Sequence, residues 1–154
     1  MKAVVSRVYG DADVLQVAEV DQPRIGDDEV LVRVRAAGVE RASWHVMTGV
    51  PYAIRLATGV RRQRVPVRGR QFAGVVEAVG RNVTTVQPGD EVYGTSGSGT
   101  WGQFTVTRPA LVARRPMNVS FEQAAVTPIS GGTALQAVRD AAKVRPGQRG
   151  MGIG

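Results

Sequence analysis

Hydrophobic and polar residues alternate in short segments along the first three quarters of the chain. Val30, Val32 and Val34 alternate with Arg33 and Arg35, which predicts a strand over residues 29–38 with its valines on the buried face. Similar patterns predict strands at residues 1–5, 15–20, 69–80, 91–94, 101–106 and 111–114. Glycine and proline turns separate these segments at regular spacing, which is typical of a small β-barrel or sandwich.

The segment from residue 39 to about residue 68 has no hydrophobic period. Ser43 is predicted to cap a short helix that runs through Met47, and Gly49, Pro51 and Gly59 predict irregular structure afterwards. A loop this long in a small domain is usually functional or mobile, so its polar residues are candidates for a site.

The pattern changes to helix near Pro116. Ser120 and Gln123 match a capping box at the start of one helix, and a second helix is predicted from Thr133 to Val144. Leu135 and Val138 share one face of the second helix. If nothing covers that face it is exposed, which predicts self-association and a possible homo-oligomer.

Composition limits the chemistry that the chain can perform. The 154 residues contain no cysteine and one histidine, His45, so disulfides, thiolate zinc sites and multi-imidazole sites are excluded. No apolar run approaches the roughly 20 residues that a membrane helix needs, and the first residues do not form a secretory signal. We expect a cytoplasmic protein with no membrane partner.

Arginine supplies most of the charge of +7, which is 20 cations less 13 anions. The arginines are densest between residues 55 and 70, at Arg55, Arg61, Arg62, Arg64, Arg68 and Arg70. Such a cluster is compatible with an anionic partner, but it lacks interleaved aromatic residues and a helical period. A solvated loop is the favoured interpretation, and we expect no nucleic-acid partner.

Three motifs in order resemble one known family. Glu29–Val39, Gly69–Gly80 and Pro88–Gly94 are similar to consecutive signatures of the medium-chain dehydrogenase/reductase superfamily, and Phe121–Ala137 extends the match. The resemblance is strongest to its zinc-independent, quinone-oxidoreductase-like branch. It implies a mainly β fold, with a GroES-like β-barrel at residues 1–117 followed by helices that lead into a truncated Rossmann domain at residues 118–154.

The resemblance also implies an activity. Members of this branch transfer a hydride from NADPH to small-molecule quinones, enones or other activated carbonyls, in a cleft between the two domains. Glu40 and Arg70 occupy the positions where zinc alcohol dehydrogenases carry a cysteine and a histidine. Since a catalytic zinc needs three protein ligands, Glu40 alone does not hold one, and a zinc-independent enzyme is expected.

His45 and Glu40 are the candidate catalytic residues. The ordinary pKa of histidine lies near working pH, so His45 is a candidate proton donor, with a surface or helix-capping role as the alternative. Glu40 is a candidate to orient the substrate or relay a proton. Its alternative is a salt bridge with Arg41 or Arg70.

Trp44, Tyr52 and Arg70 are candidate substrate-binding residues. The two aromatic rings are suited to stack on an aromatic substrate, or else they take part in ordinary barrel packing. Thr133 matches a position that approaches the nicotinamide in relatives, and its alternative role is to cap the helix that follows.

The last residues, Gly150–Gly154, have glycines at a spacing that suggests a phosphate loop. A dinucleotide fingerprint must follow a strand, open a helix and precede an acidic residue about 20 positions on. We therefore interpret this end as the terminus of a truncated or frameshifted product. The sequence predicts part of an oxidoreductase that is inactive alone, and the alternative is a stand-alone GroES-like binding or interaction module.

Overall fold

The structure is a computed structural model that describes residues 1–60, 65–148 and 150. Its strands, in chain order, are β1 (Lys2–Val5), β2 (Gln16–Glu19), β3 (Val30–Ala37), β4 (Gln71–Val79), β5 (Glu91–Thr95), β6 (Phe104–Thr107) and β7 (Val112–Arg114). Its α-helices are α1 (Arg41–Thr48), α2 (Ile54–Thr58), α3 (Phe121–Ala125) and α4 (Thr127–Gln136). Two 3-10 turns lie at Ala12–Val14 and Pro109–Leu111, and a π-helical turn at Ala137–Ala141 continues α4.

The strands form one antiparallel sheet and one two-stranded ribbon. The sheet has the order β6-β3-β4-β5-β7, so β4 lies at its centre, and β1 pairs with β2. Single bridges from Ala3 to Gly102 and from Val5 to Val67 join the ribbon to the rest of the barrel. The predicted mainly β fold is confirmed.

The faces predicted for β3 are confirmed. Val30 and Val32 are fully buried, and they pack in the main core with Phe72, Val76 and Val92. The arginines between the valines stay exposed. On β2 the predicted alternation does not bury Val17, which is 75% exposed in the two-stranded ribbon with β1.

Helix α3 lies directly on the sheet. The capping box is confirmed: Gln123 N donates to Ser120 Oγ at 3.2 Å, and Ser120 N donates to Gln123 Oε1 at 3.0 Å. Ala124 and Ala125 are buried against Ala73 of β4, where their small side chains let the helix approach the strand closely.

Helix α4 begins six residues earlier than the sequence predicts. It starts at Thr127, so Thr133 lies inside the helix, and the predicted capping role of Thr133 is wrong. The Thr133 hydroxyl donates to Ile129 O at 2.8 Å, one turn back. Leu135 and Val138 are 54% and 52% exposed, as predicted for an uncovered helix face.

The segment predicted to be mostly irregular contains two helices. Helix α1 follows Glu40 at its N-cap position, so Ser43 lies within the first turn and the predicted cap at Ser43 is wrong. The helix ends at Gly49, whose φ of +66° favours glycine.

Arg55 ties α2 to the end of α1. Its guanidinium lies 4.4 Å from the centre of the Tyr9 ring and 4.7 Å from that of Tyr52. Its Nε donates to Gly49 O at 3.2 Å. These contacts fix α2 against the end of α1.

Because β4 lies at the centre of the sheet, we expect a single methyl group added to it to lower the free energy of unfolding. A Cβ at Gly74 would clash with the backbone oxygen of Arg33 on β3, whereas a Cβ at Gly97 would meet no atom within 4 Å. Overpacking of this kind costs about 1–3 kcal/mol. We expect Gly74→Ala to lower the free energy of unfolding by that amount in a urea titration, and Gly97→Ala to change it by less than about 0.5 kcal/mol. Equal stability of the two variants would contradict the close strand approach.

Candidate functional site

A pocket of about 260 Å³ opens between the two short helices and the chain that enters β4. Helix α1 contributes Ser43 and Val46 to its wall, and α2 contributes Ala57 and Thr58. These residues come from the segment that the sequence marks as a candidate site, because the segment is long and has no hydrophobic period.

The opposite wall contains two arginines and three glycines. It consists of Arg68, Gly69 and Arg70 together with the loop after β5, where Gly97 and Gly99 line the pocket. Gly69 has a φ of +86°, and a Cβ there would clash with the Trp101 ring. The wall therefore leaves room for a small organic ligand beside two guanidinium groups.

Glu40 and Ser43 form a pair beside this pocket. Ser43 is 5% exposed, and its hydroxyl donates to Glu40 Oε1 at 2.6 Å. The second oxygen, Glu40 Oε2, is buried without a partner among the described residues. Such orphaned oxygens are rare and cost about 1–3 kcal/mol, so the pair is a candidate functional feature.

The alternative role of Glu40, a salt bridge with Arg41 or Arg70, is wrong, because no such ion pair is present among the described residues. Neither Arg41 nor Arg70 lies within ion-pair distance of its carboxylate. The Arg41 guanidinium instead lies 4.4 Å from the centre of the Trp44 ring. Arg70 is exposed and lines the pocket, which keeps it a candidate for contact with a ligand.

Arg68 is a site residue that the sequence interpretation missed. The arginine cluster was interpreted as a solvated loop, yet Arg68 is only 5% exposed, so that interpretation is wrong for it. Burial lowers the pKa of its guanidinium below the ordinary value, and the nearby Tyr9 opposes that shift. Arg61, Arg62 and Arg64 lie outside the described residues.

His45 lies on α1 but not in the pocket wall. Its Nδ1 is 2.7 Å from Val50 O, and since a carbonyl only accepts, Nδ1 must donate. A neutral His45 therefore presents Nε2 as an acceptor. Two residues along a helix rotate a side chain by about 200°, so His45 faces away from Ser43.

Trp44 and Tyr52 are more exposed than barrel packing would leave them. They are 38% and 72% exposed, and each contacts an arginine guanidinium. Tyr52 is therefore mainly a surface residue, whereas Trp44 packs partly against Arg41 and His45. Neither ring lines the pocket, so their substrate role stays a prediction.

The described residues offer little that would hold a cofactor. Thr133 is exposed on α4, which approaches β4 through a hydrogen bond from Ile129 N to Gln71 Oε1 at 3.2 Å. The glycine-rich end that was interpreted as a terminus lies outside the described residues, apart from Gly150. The described part of the chain supplies no cradle for the phosphates of a nucleotide.

Metal ligands are sparse in the same part of the chain. Across residues 1–60 and 65–148, no three histidine or acidic side chains come together in a way that would hold a metal ion. Every helix in those ranges is too short or too polar to traverse a bilayer.

Comparison with known proteins identifies the family. The alcohol dehydrogenase GroES-like domain matches residues 26–143, which is most of the chain. The chain therefore belongs to this domain family and forms the N-terminal half of a medium-chain dehydrogenase/reductase of the quinone-oxidoreductase-like type. The family is one of oxidoreductases.

Individual relatives support this assignment. Quinone oxidoreductase-like protein 2 of Rattus norvegicus is 34% identical over 137 residues, which cover 87% of this chain and 36% of the relative. The CurK enoyl reductase structure matches with a TM-score of 0.84 and 26% identity, over 95% of this chain and 44% of that one. A mycobacterial protein complexed with NADPH matches with a TM-score of 0.79 and 28% identity, over 96% and 43%. The chain thus spans less than half of each relative.

The Glu40–Ser43 pair predicts a non-additive effect on stability. Ser43→Ala removes the described hydrogen bond to Glu40, which leaves both oxygens of this half-buried carboxylate without a described partner. We expect the free energy of unfolding to fall by about 1–3 kcal/mol.

A double-mutant cycle supplies the control for this prediction. In a Glu40→Ala background, Ser43→Ala should cost less than about 0.5 kcal/mol, because no carboxylate is left to satisfy. The same cost in both backgrounds, measured by urea titration, would rule out the coupling.

Proposed function

We propose that this chain is the substrate-side part of an NADPH-dependent oxidoreductase that reduces quinones, enones or other activated carbonyls by hydride transfer. The observation that carries the proposal is the pocket itself. It brings Arg70 and the Ser43–Glu40 pair together beside the strand that contacts α4. The quinone and enoyl reductases among the relatives support the substrate class.

The pocket residues suit the charge that this reaction develops. The hydride adds to an electrophilic carbon of the substrate, and its electron pair forms the new C–H bond. The π electrons move onto the carbonyl oxygen, so that an enolate or hydroquinone anion forms. This anion then takes a proton. A cationic donor at that oxygen lowers the barrier because it binds the developing charge more strongly than the neutral carbonyl. Arg70 is the candidate for this contact.

Glu40 acts in this proposal as a positioning residue. Its Oε1 accepts a hydrogen bond from the Ser43 hydroxyl and so fixes the orientation of that group in the pocket wall. His45 stays a proposed proton donor only for a substrate that reaches beyond the described pocket wall, and that role requires the protonated ring with a hydrogen on Nε2, since Nδ1 is hydrogen-bonded to Val50 O.

The enzyme class is proposed to be zinc-independent. Glu40 and Arg70 stand where zinc alcohol dehydrogenases have ligands, and an arginine does not bind a metal cation. The bound NADPH would supply the hydride, and its contacts, apart from the proposed one to Thr133, would come from a cofactor domain. We keep the proposed boundary at residue 117, with residues 118–154 as the start of that domain.

One observation favours a stand-alone binding module as the second candidate function. Every described residue that lines the pocket lies between Ser43 and Gly99, within the proposed barrel. A ligand site of this kind needs no cofactor domain to be formed. The two functions differ in whether a bound carbonyl compound is reduced.

A chimera distinguishes these functions. Residues 1–148 are joined to the cofactor domain of the mycobacterial relative, and NADPH oxidation is followed with menadione as the acceptor. The proposed reductase predicts quinone-dependent oxidation by the chimera and none by the chain alone. A chimera that binds NADPH, as judged by cofactor fluorescence, but does not oxidise it would favour the binding module.

Arg70 is tested in the same chimera. Because removal of a donor to a developing oxyanion costs about a hundredfold in favourable cases, we expect Arg70→Met to lower kcat/KM for menadione by at least about tenfold at this exposed position. Arg108→Met removes an exposed arginine outside the pocket and should leave kcat/KM within about twofold. A similar loss in both variants would show that net charge, not the contact, is responsible.

A further inference from the structure

Arg68 is a buried cation without an acidic partner among the described residues. It is 5% exposed and lines the pocket. Its Nε donates to Pro66 O at 3.1 Å, and its Nη2 donates to Ser6 O at 3.4 Å and to Val65 O. Buried charges in proteins are normally paired, so a guanidinium held by carbonyl oxygens alone is unusual.

The geometry leaves donors on Arg68 for a ligand. A guanidinium carries five N–H groups, and the three bonds to Pro66, Ser6 and Val65 use three of them. The N–H groups of Nη1 have no partner among the described residues. Both belong to one nitrogen, so they are free to make charge-assisted hydrogen bonds to carboxylate oxygens while the other nitrogens stay bonded to the backbone.

The backbone of Arg68 is fixed on both sides. Its N–H donates to Val4 O at 3.1 Å, and its carbonyl accepts from Thr100 N and Trp101 N, both at 2.8 Å. Gly69 follows in a left-handed conformation that a side chain would block. The guanidinium is therefore preorganised, and a ligand need not order it on binding.

The rest of the pocket reinforces the positive charge. Arg70 lies at the same wall, and the other described lining residues are neutral. Glu40 is hydrogen-bonded to the lining residue Ser43 and forms no ion pair with Arg68 or Arg70 in the described chain. Val46, Val65 and Val67 make the remaining surface apolar enough for a carbon skeleton.

We propose that this pocket binds a small organic anion whose carboxylate is received by Arg68, with Arg70 as the second cationic contact. Combined with the proposed function, on which this step rests, the substrates are activated carbonyl compounds that carry a carboxylate. The desolvation that lowers the pKa of Arg68 is offset when a carboxylate supplies the missing charge. The pocket volume of about 260 Å³ limits such substrates to small molecules.

The test compares cinnamate with cinnamamide, which have nearly the same shape and differ in charge. The full chain is titrated with each compound, and amide NMR spectra report both the affinity and the residues affected. Since hydrogen bonds to charged groups are stronger than neutral ones, we expect cinnamate to bind at least about tenfold more tightly. The shifts should cluster at residues 67–70 and 96–99. Equal affinities, or shifts confined to other residues, would overturn the proposal.

Variants assign the preference to Arg68. Arg68→Met should bring the two affinities within about twofold, and Arg68→Lys should retain part of the preference because it keeps the charge. Arg108→Met is the control for net charge and should retain the full preference. A preference that survives Arg68→Met would overturn the assignment. If Arg68→Met does not fold, Arg68→Lys decides the assignment, and an undiminished preference in that variant would overturn it.

A third titration distinguishes a carboxylate from a phosphate group, and its outcome does not depend on catalysis. Phenyl phosphate is titrated in the same way, and binding tighter than that of cinnamate would overturn the carboxylate in favour of a phosphate group. No nucleotide is present in these titrations. An inactive chimera would therefore contradict the reductase proposal but not the anion site. Equal affinities for cinnamate and cinnamamide would contradict the anion site but not the reductase proposal.

Discussion

The buried side chain and carbonyl of Gln71 hold the parts of the molecule in position around the start of β4. Gln71 is 1% exposed, and its carbonyl accepts from Gly38 N at 3.2 Å and from Thr100 Oγ1 at 3.1 Å. Its side-chain oxygen accepts from Ile129 N at 3.2 Å. The end of β3, the loop before β6 and helix α4 therefore meet at one residue. The residues that immediately precede Gln71 form one wall of the pocket. The contacts that fix the start of β4 therefore also fix that wall.

The pocket is also where the polar groups of this fold are least well satisfied. Arg68 is buried among carbonyl oxygens, and Glu40 Oε2 is buried without a described partner. A well-packed barrel has no need of either group, and each lowers stability unless a ligand compensates it. Proteins tolerate such costs mainly at functional sites. The family assignment alone does not account for them, whereas a bound anion accounts for Arg68.

Local patterns predict the strands and helix α3 well, because those elements depend on neighbours in the chain. The valines of β3 face the core as their alternation requires, and Ser120 and Gln123 cap α3 as their spacing requires. The site was predicted less well. Arg68 belongs to a charge cluster that looks solvated, and only the packing of β1 and the loop before β6 around it determines its burial.

Helix α1 also shows why the site is harder to predict from the sequence than the fold. The sequence places Ser43, Trp44 and His45 close together, yet a helix directs neighbouring side chains to different sides, and the start of the helix sets which of them reaches the pocket. Because the helix begins at Arg41, Ser43 lines the pocket and His45 does not. A shift of one or two residues in the predicted start changes the candidate catalytic residue.

The central claim is that the space between α1, α2 and the start of β4 is the substrate site. A crystal structure of the chain with menadione bound tests it most directly. The account predicts the quinone beside Ser43 and Arg70, with a carbonyl oxygen facing the Arg70 guanidinium. A quinone bound instead on the exposed face of α4, with this pocket empty, would contradict it.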